Sequence, residues 1–270
     1  MMPNDIANAP MRAPTPAGFL QDPARPILCT GRDLPPQHGV VPHQHPRSQL
    51  LWATQGVLRI TSDQAIWVVP PSHAVWIPGN VQHALQSDTA AVVRNLYIDA
   101  SCPPRRDTAC AVLTLTPLMR ALILRLYTED TTAAFPARLL RLCAVTLDEI
   151  ANLPQAPLHL PGGQDPRLVR LIRHLGHHPD DPSALPELAR IAAASPRTLE
   201  RLFRQETGLT YRQWRSRQRL LLAIERLTLG QSSATIAYAL GYRSPSAFTA
   251  AFHAEFGTPP QSFRKQTAVT

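Results

Sequence analysis

The last third of the chain contains the same short pattern twice, forty-nine residues apart. Ser195-Pro196 opens the first copy and Ser244-Pro245 opens the second. Serine is a favoured helix N-cap, and proline suits the first helical position because it has no N–H to leave unpaired. The later matches are Phe203 with Phe252, Gly208 with Gly257, Trp214 with Phe263 and Arg215 with Arg264. The pattern therefore predicts a duplicated helical unit in an all-α C-terminal domain.

Each copy has the layout of a helix-turn-helix. Residues 185–194 predict a short helix before the first Ser-Pro pair, and residues 236–240 predict its equivalent before the second. Apolar residues at i, i+3 and i+4 then form one buried stripe in each following helix. These residues are Leu199, Leu202 and Phe203 in the first copy and Phe248, Ala251 and Phe252 in the second. Residues 211–229 predict a long helix that joins the two units.

Net charge distinguishes the two parts of the chain. Residues 166–270 contain fifteen Arg or Lys against seven Asp or Glu, a net charge of +8 that equals the charge of the whole chain. Residues 1–165 are therefore neutral overall. Because clustered positive charge favours binding to phosphates, the C-terminal domain is the part expected to bind nucleic acid.

With this layout, residues 166–265 resemble the DNA-binding domain of the AraC/XylS family of bacterial transcription regulators. The resemblance implies that two recognition helices enter successive major grooves on one face of double-stranded DNA. It places base-edge contacts in the first helix at Arg197, Glu200 and Arg201, and the polar candidates in the second helix are Ser246 and Thr249. Contacts to the DNA backbone are expected from Ser195, Arg204, Arg243, Ser244 and Arg264.

The two recognition helices differ in chemistry. Arginine binds guanine through two hydrogen bonds and a carboxylate accepts one from cytosine, so the first helix has the groups to discriminate bases. In the second helix, Ala247 and Ala250 are suited only to contact with a thymine methyl group. We therefore expect the first unit to carry most of the sequence specificity and the second to position the DNA backbone.

The N-terminal part of the chain changes to short β-type runs separated by turn residues. The predicted strands cover residues 49–53, 57–61, 66–69, 74–77 and 91–98. Pro70-Pro71-Ser72 and Pro78-Gly79-Asn80 are typical turn sequences between them. Residues 27–110 are thus expected to form a small antiparallel barrel or jelly roll. Residues 1–26, rich in Pro, Ala and Asn, are expected to form a flexible tail.

The composition also predicts the compartment. The sequence has no apolar run long enough for a signal peptide or a membrane span, so a soluble cytoplasmic protein with no membrane partner is expected. The four cysteines, Cys29, Cys102, Cys110 and Cys143, lack the CxxC spacing of metal sites. In a reducing compartment they are expected to be thiols.

Two segments of the predicted barrel resemble the cupin motifs. Residues 39–49, followed by Gly56, resemble the first motif, and Ile77-Pro78-Gly79 with His83 resembles the second. The cupin-type domain is also the common N-terminal partner of AraC-type DNA-binding domains. In a catalytic cupin the corresponding residues hold a metal ion inside the barrel. The resemblance therefore implies a site at His43, His45, Gln49 and His83, in which Gln49 occupies the position of a carboxylate.

Three uses of this site are open at the level of sequence. One is a divalent metal ion, for which the neutral amide of Gln49 is a poorer ligand than a carboxylate. Another is a purely structural role, in which neighbouring groups satisfy the histidine nitrogens. The third is a pocket that binds an organic effector by hydrogen bonds, with Trp52, Trp67 and Trp76 as apolar walls.

The segment between the two domains predicts more helix. Residues 113–127 and 136–153 have apolar residues at helical spacing, so residues 111–153 predict a helical hairpin. The hairpin is expected either to pack onto the barrel or to form the seam of a homodimer, since AraC-type regulators commonly dimerise through helices placed here. Residues 154–165, which contain Pro161-Gly162-Gly163, are expected to form a flexible linker.

The predicted fold is therefore an α+β two-domain protein with a cupin-like barrel, a helical hairpin and a double helix-turn-helix. The expected function is that of a non-enzymatic transcription regulator. A small-molecule or metal effector in the barrel would change DNA affinity or contact with RNA polymerase. Two alternatives are a metal-dependent cupin enzyme fused to a DNA-binding module and a nonspecific architectural DNA-binding protein.

Overall fold

The computed structural model describes residues 10–62, 65–129, 133–178 and 181–261. These residues fall into two compact units: an N-terminal unit of residues 10–60 and 67–157, and a C-terminal unit of residues 158–261, with which residues 61–62 and 65–66 are grouped. The N-terminal unit is built on two β-sheets and a helical hairpin. From Leu158 onward the described residues form helices and one short strand.

The strands of the N-terminal unit pair into two sheets that face each other across a small pocket. The strands are β1 Met11–Arg12, β2 Ile27–Leu34, β3 His38–His43, β4 Ser48–Gln55, β5 Leu58–Thr61, β6 Ala65–Val69, β7 His73–Ile77, β8 His83–Ser87, β9 Ala91–Ile98, β10 Ala111–Thr114 and β11 Gln155–Ala156. One sheet has the spatial order β1-β3-β8-β5-β6, and the other has β11-β10-β7-β4-β9-β2. The pairs between β4 and both β7 and β9 are antiparallel, as predicted for a small barrel or jelly roll.

Strand β4 separates the interior of the barrel from a second apolar layer. Successive side chains of a strand point to opposite faces. Gln49 and Leu51 line the internal pocket, whereas Leu50 and Trp52 belong to the cluster that packs against the helices. Both faces of β4 are therefore buried. The expectation that Trp52 lines the effector pocket is wrong, because Trp52 lies on the opposite face of its strand from Gln49.

The helical hairpin consists of α1, Pro117–Tyr127, and α2, Ala137–Asn152. Its apolar stripe, which includes Met119, Ile123 and Leu139, joins Trp52 and Trp76 in one buried cluster. The hairpin thus packs on the outer face of the second sheet. Five large apolar side chains of the hairpin stay exposed: Leu118, Leu124, Tyr127, Leu140 and Val145.

The first helix of the hairpin begins later than predicted. Residues 111–114 pair with β7 as strand β10, and α1 starts at Pro117 instead of residue 113. The cause is a local signal at Thr116, whose hydroxyl accepts a hydrogen bond from the Met119 N–H while Pro117 occupies the first helical position. The barrel therefore extends beyond residue 110 and includes β10 and β11.

Residues 10–26 are packed against the barrel and do not form the flexible tail that their composition predicted. The side chain of Arg47 is fully buried and ion-paired with Asp99 at 3.1 Å. Its guanidinium also donates hydrogen bonds to the carbonyl oxygens of Leu20, Asp22 and Arg25. A buried cation needs such acceptors, and here the N-terminal segment supplies them. Residues 1–9 lie outside the described part of the chain.

The burial of His73 predicts that the stability of the folded protein depends on pH. Burial, assisted by the nearby charge of Arg120, lowers the pKa of His73 from 6.5 to about 4. The unfolded chain therefore binds more protons than the folded protein between these pH values, and stability falls as the pH drops through this range. One pKa unit corresponds to about 1.4 kcal/mol, so His73 should remove roughly 2–3 kcal/mol between pH 6.5 and pH 4.

The check is chemical denaturation of the wild-type protein and of His73→Gln at a series of pH values. The difference in the free energy of unfolding between the two proteins should be constant above pH 6.5. It should then change in favour of the glutamine variant as the pH falls. Parallel pH profiles of the two proteins would contradict the burial of a neutral imidazole at this position.

The C-terminal unit contains the duplicated motif. Its elements are β12 His159–Pro161, α3 Pro166–His177, α4 Leu185–Ala192, α5 Pro196–Leu202, α6 Tyr211–Thr228, α7 Ser233–Ala239 and α8 Pro245–Phe256. A π-helical turn, Phe203–Thr207, continues α5. Helices α5 and α8 both end at a glycine with positive φ, Gly208 at 71° after the π-turn and Gly257 at 69°. Glycine is favoured in this left-handed C-cap conformation.

The predicted flexible linker is structured at both of its ends. Gln155 and Ala156 pair with β10 as strand β11 in the N-terminal unit. In the C-terminal unit, the indole N–H of Trp214 donates to Pro161 O at 2.8 Å. The N–H of Asp165 donates to Glu206 Oε2 at 3.1 Å. The Pro and Gly content of this segment predicted flexibility. Its two ends are instead held by hydrogen bonds to residues that are distant in sequence, which a local sequence pattern does not show.

Candidate functional site

The first candidate site is the exposed face of α5. Leu199 and Leu202 are buried on the inner face of this helix. Arg197 and Arg201 are exposed and four residues apart, which places them on the same side of the helix. Glu200 is half-buried, and Arg204 is exposed beyond the end of α5. The structure therefore brings together the predicted base-reading side chains of the first unit on one surface.

Helix α5 starts as the sequence predicted. The Ser195 hydroxyl accepts a hydrogen bond from the Thr198 N–H at 3.1 Å, with Pro196 at the first helical position. Ser244 caps α8 in the same way, accepting from the Ala247 N–H at 3.2 Å. Free N–H groups and the helix dipole at such N-termini favour an anionic phosphate. Ser195 and Ser244 stay candidates for contact with the DNA backbone.

One polar side chain of the first reading surface was missed by the sequence interpretation. Gln205 is exposed, and its Oε1 accepts a hydrogen bond of 2.6 Å from the Arg201 guanidinium. An amide binds adenine through two hydrogen bonds, so Gln205 adds a base-reading group. The i, i+4 spacing from Arg201 is the sequence signal that would have identified it.

The second recognition helix presents a different surface. Ser246 and Ala250 are exposed and Thr249 is half-buried on the outer side of α8. Together with His253 they line an open groove that also includes the start of α7. His253, four residues after Thr249, is the group that the sequence interpretation missed here. Arg243 is exposed in the turn before α8, and Arg264 lies outside the described residues.

The arginines of the connecting helix α6 divide between support of the fold and the surface. Arg215 is buried and donates to Gln218 Oε1 at 2.7 Å and to Asp181 O at 2.6 Å. Arg217 pairs with Glu255 of α8 at 2.6 Å. Arg212 is exposed. Part of the positive charge of this unit therefore holds its helices together, and the exposed part is available to phosphates.

The second candidate site lies inside the barrel, where three histidines converge. His43 and His83 occupy opposite positions at the ends of β3 and β8, and His45 follows β3 in the adjoining turn. One ring nitrogen of each histidine lies within 4.8 Å of those of the other two. His45 and His83 are buried, and His43 is half-buried. Strand β3 ends at His43, so His45 lies beyond the strand, but the two rings still meet, with their centroids 5.6 Å apart.

The three imidazoles have the same hydrogen-bond pattern. Each Nδ1 faces a backbone carbonyl oxygen: Val41 O for His43 at 2.8 Å, Arg47 O for His45 at 2.7 Å and Val81 O for His83 at 2.9 Å. A carbonyl oxygen only accepts, so each Nδ1 carries the proton of a neutral ring. Burial lowers the pKa of His43 and His45, and that of His83 to about 4, which favours neutral rings.

Gln49 lies beside the histidines and has other partners. Its Nε2 donates to Asn95 Oδ1 at 2.8 Å, and its Oε1 lies 3.1 Å from His45 Nε2. With a neutral His45 ring this second contact is a hydrogen bond when both amide groups make a half-turn, so that Gln49 Nε2 donates to His45 Nε2 and Asn95 Nδ2 donates to Gln49 Oε1. The structure therefore places Gln49 next to the histidine cluster as a hydrogen-bond partner of His45.

The donor set of this cluster fits a divalent transition metal. Neutral imidazole nitrogens are suitable ligands for Zn²⁺, Cu²⁺, Fe²⁺ and Ni²⁺. In the described part of the chain, Nε2 of His83 is buried without a hydrogen-bond partner. The neighbouring pocket has a volume of about 20 Å³ and is lined by Pro14, Thr15, Arg32, Val40, His43, Gln49, Leu51, His83, Leu85, Val93, Asn95 and Tyr97.

Comparison with known proteins identifies the family of the chain. The model of the AraC-like ligand binding domain matches residues 25–140, and the model of a helix-turn-helix domain matches residues 188–266. The chain therefore belongs to the AraC-type transcription regulators, with a ligand-binding domain and a helix-turn-helix DNA-binding domain. It is 37% identical over 229 residues to the HTH-type transcriptional regulator NimR of Escherichia coli strain K12, covering 84% of each chain.

A second relative is also named as an HTH-type transcriptional regulator. The chain is 25% identical over 217 residues to the HTH-type transcriptional regulator RipA of Corynebacterium glutamicum, covering 80% of this chain and 61% of that one. Among solved structures, ToxT from Vibrio cholerae matches 90% of this chain and 99% of its own at 10% identity, with a TM-score of 0.40. No helix among the described residues is both long enough and apolar enough to cross a membrane.

Proposed function

We propose that this regulator binds a specific DNA sequence and responds to an effector held in its N-terminal barrel. The observation that carries the proposal is the exposed face of α5, where Arg197, Arg201 and Gln205 lie together beside Glu200. Two guanidinium groups, an amide and a carboxylate are the groups that distinguish bases in the major groove. A protein that binds DNA without sequence preference needs positive charges for the phosphates, but it does not need guanidinium, amide and carboxylate groups together on one helix.

The two reading helices contribute unequally in this proposal. Helix α5 offers charged and amide groups, whereas α8 offers Ser246, Thr249 and His253 beside exposed alanines. Short hydroxyl side chains discriminate bases less than a bidentate arginine does. We therefore expect the half-site contacted by α5 to be strict in sequence, and the half-site contacted by α8 to be permissive and bound mainly through phosphates.

Selection of bound fragments from a random double-stranded DNA library tests this function. The purified full-length protein should enrich a motif with one conserved half and one variable half. The selection is repeated at low and at high salt, because phosphate contacts weaken with salt while base discrimination persists. Failure to enrich any motif at either salt concentration would reject sequence-specific binding and favour an architectural role.

We also propose a homodimer formed through the helical hairpin. Its exposed apolar side chains include Leu124 at 44% and Val145 at 50% relative exposure. Clustered exposed apolar groups mark surfaces that bind other proteins. Replacing Leu124 and Val145 together by Asp should shift the sedimentation coefficient from that of a dimer to that of a monomer. Leu229→Asp, which changes a side chain exposed to 59% in the C-terminal unit, is the matched control and should stay dimeric.

Contact with RNA polymerase and a cytoplasmic location complete the proposal. A regulator acts where DNA and RNA polymerase are located, which supports the cytoplasm. In vitro transcription from a template carrying the selected motif, with and without the purified protein, tests the contact with polymerase. A change in transcript level that requires the motif supports the contact, and an identical level at saturating protein argues against it.

A further inference from the structure

A basic cleft lies along the connecting helix α6 in the C-terminal unit. It has a volume of about 360 Å³, a size typical of pockets for small ligands. Five of its lining residues belong to α6, and it is closed by Ser183 from the loop before α4 and by Tyr242 from the turn before α8. None of the described residues that line it belongs to α5 or α8. The cleft is therefore separate from the two reading helices and borders both helix-turn-helix units.

Helical spacing brings three arginines of α6 to this cleft. Arg212, Arg215 and Arg219 follow one another at i, i+3 and i+7, which places them on one side of an α-helix. Arg217 lies outside this stripe and pairs with Glu255 of α8 at 2.6 Å. The side of α6 that faces the cleft thus carries three guanidinium groups.

Two of these three guanidinium groups are not used by the fold. Arg215 is buried and donates to Gln218 Oε1 and Asp181 O. Arg212 is exposed and Arg219 is half-buried, and neither forms an ion pair or a hydrogen bond within the described part of the chain. Arg215 and Arg219 are four residues apart, a spacing at which like charges destabilise a helix. An anion in the cleft would offset this repulsion.

The positive charge of the cleft is not neutralised by the described residues that line it. None of them is Asp or Glu. Asp181 and Glu255 lie near the cleft, but both carboxylates have other partners. Asp181 Oδ2 lies 2.8 Å from His174 Nε2, and Glu255 is the partner of Arg217. A concave site with uncompensated positive charge favours an anion.

Hydroxyl groups add to the hydrogen-bond donors of the cleft. Burial raises the pKa of Tyr211 and of Tyr242, so both phenol groups keep their protons and can donate. The Tyr242 oxygen is buried and has no hydrogen bond of normal geometry with the described residues, although Ser216 lies beside it. A phosphate has more acceptor oxygens than a carboxylate and binds arginine through paired hydrogen bonds. The donors of the cleft therefore favour a phosphate group.

We propose that this cleft binds one phosphate group through Arg212 and Arg219. The two residues are about 10 Å apart along the helix axis, a distance that two arginine side chains can close on one group between them. Two sources have this chemistry: a backbone phosphate of bound DNA, and a free phosphorylated small molecule. The first rests on the proposed function, and the second does not. In both cases the bound group links α6 to the turn that leads into α8, and so helps to position the second reading helix.

Binding of free phosphate is tested on the full-length protein without DNA, by phosphorus NMR titration with inorganic phosphate at an ionic strength kept constant with sodium chloride. We expect saturable binding of one phosphate per chain. Arg212→Gln and Arg219→Gln should each weaken it by about tenfold, because each removes a charged hydrogen-bond donor. Arg173→Gln, at an exposed position of α3 outside the cleft, is the matched control and should bind like the wild-type protein. Because Arg212 is exposed, its variant decides if circular dichroism shows that Arg219→Gln does not fold.

Contact with a DNA phosphate is tested by the salt dependence of DNA binding. Fluorescence anisotropy measures the affinity for a random-sequence duplex at several salt concentrations. Each lost phosphate contact makes the slope of log affinity against log salt concentration shallower by about one. We expect this change for Arg212→Gln and Arg219→Gln and not for Arg173→Gln. The cleft variants should leave the enriched motif unchanged, because a backbone contact carries no base information.

The outcomes distinguish the two sources and separate the site from the proposed function. Phosphate binding that the cleft variants weaken, with unchanged salt slopes, assigns the cleft to a small molecule. A shallower slope in these variants without binding of free phosphate assigns it to the DNA backbone. Absence of both effects overturns the site. A protein that binds phosphate in the cleft but enriches no DNA motif keeps this site and loses the proposed function.

Discussion

Replacing Arg47 by Met is expected to lower the free energy of unfolding of the N-terminal unit by about 3–5 kcal/mol. Arg47 is 0% exposed, and its partner Asp99 is 4% exposed. Removing one member of a buried ion pair leaves the other charge without compensation, which costs much more than the pair contributes net. The substitution also removes the donors that hold the carbonyl oxygens of the N-terminal segment.

The measurement is urea denaturation followed by tryptophan fluorescence, to which Trp52, Trp67 and Trp76 of the N-terminal unit contribute together with Trp214 of the C-terminal unit, and the change in the N-terminal transition relative to the wild-type protein is compared between variants. Arg59→Met is the matched control, because Arg59 pairs with Asp88 at 3.3 Å where the Asp88 side chain is 48% exposed. An exposed pair contributes about 0–1 kcal/mol. Equal losses in the two variants would show that burial of the Arg47 pair has no special role.

Replacing Arg201 by Ala is expected to weaken binding to the preferred DNA sequence by about 1–3 kcal/mol and to relax one base position. Arg201 is exposed on α5, and its guanidinium is oriented by the hydrogen bond to Gln205. A bidentate arginine contact with guanine accounts for a discrimination of that size. Binding to nonspecific DNA should fall by less, because only one phosphate-attracting charge is lost.

Arg190→Ala provides the comparison for this second prediction. Arg190 is an exposed arginine of the supporting helix α4, so its removal takes away the same charge without touching α5. It should reduce affinity for all sequences alike and leave the enriched motif unchanged. Competition binding with the selected site, a site changed at one position and random DNA measures all three effects. A uniform loss for Arg201→Ala would remove Arg201 from the base-reading group.

Local sequence signals correctly predicted those elements whose structure is determined by interactions between residues close together in the sequence. The Ser-Pro pairs predicted the starts of α5 and α8, and the i, i+3, i+4 stripes predicted which faces are buried. The five predicted strands all lie within or next to observed ones, from β4 to β9. In each case the signal and the interaction it predicts lie within a few residues of each other.

The sequence-based predictions failed where a residue that is distant in sequence determines the local structure. Residues 10–26 are ordered by Arg47, and the ends of the predicted linker are ordered by β10 and by the Trp214 and Glu206 side chains. Composition alone does not reveal such partners. Trp52 was assigned to the pocket because it is aromatic, but the alternation along β4 gives the pocket face to Gln49 and Leu51. A shift of the strand register by one residue would have turned Leu50 and Trp52 towards the pocket and Gln49 and Leu51 away from it.

The sequence predicted which residues form the histidine site, but it did not predict their arrangement or their hydrogen-bond partners. Spacing identified His43, His45, Gln49 and His83, and the structure gathers the three imidazoles. The carbonyl partners of Nδ1 and the Asn95 partner of Gln49 come from backbone and side chains that no motif includes. Whether a side chain acts as a ligand or as its neighbour depends on such contacts.

The unequal surfaces of α5 and α8 have a consequence for evolution. Point mutations in the half of an operator that α8 contacts would cost little affinity, whereas mutations under Arg197, Arg201 and Gln205 would be removed by selection. New target genes could therefore be acquired by a promoter that creates only the short strict half-site at a suitable place. The set of controlled genes would then change faster than the protein itself.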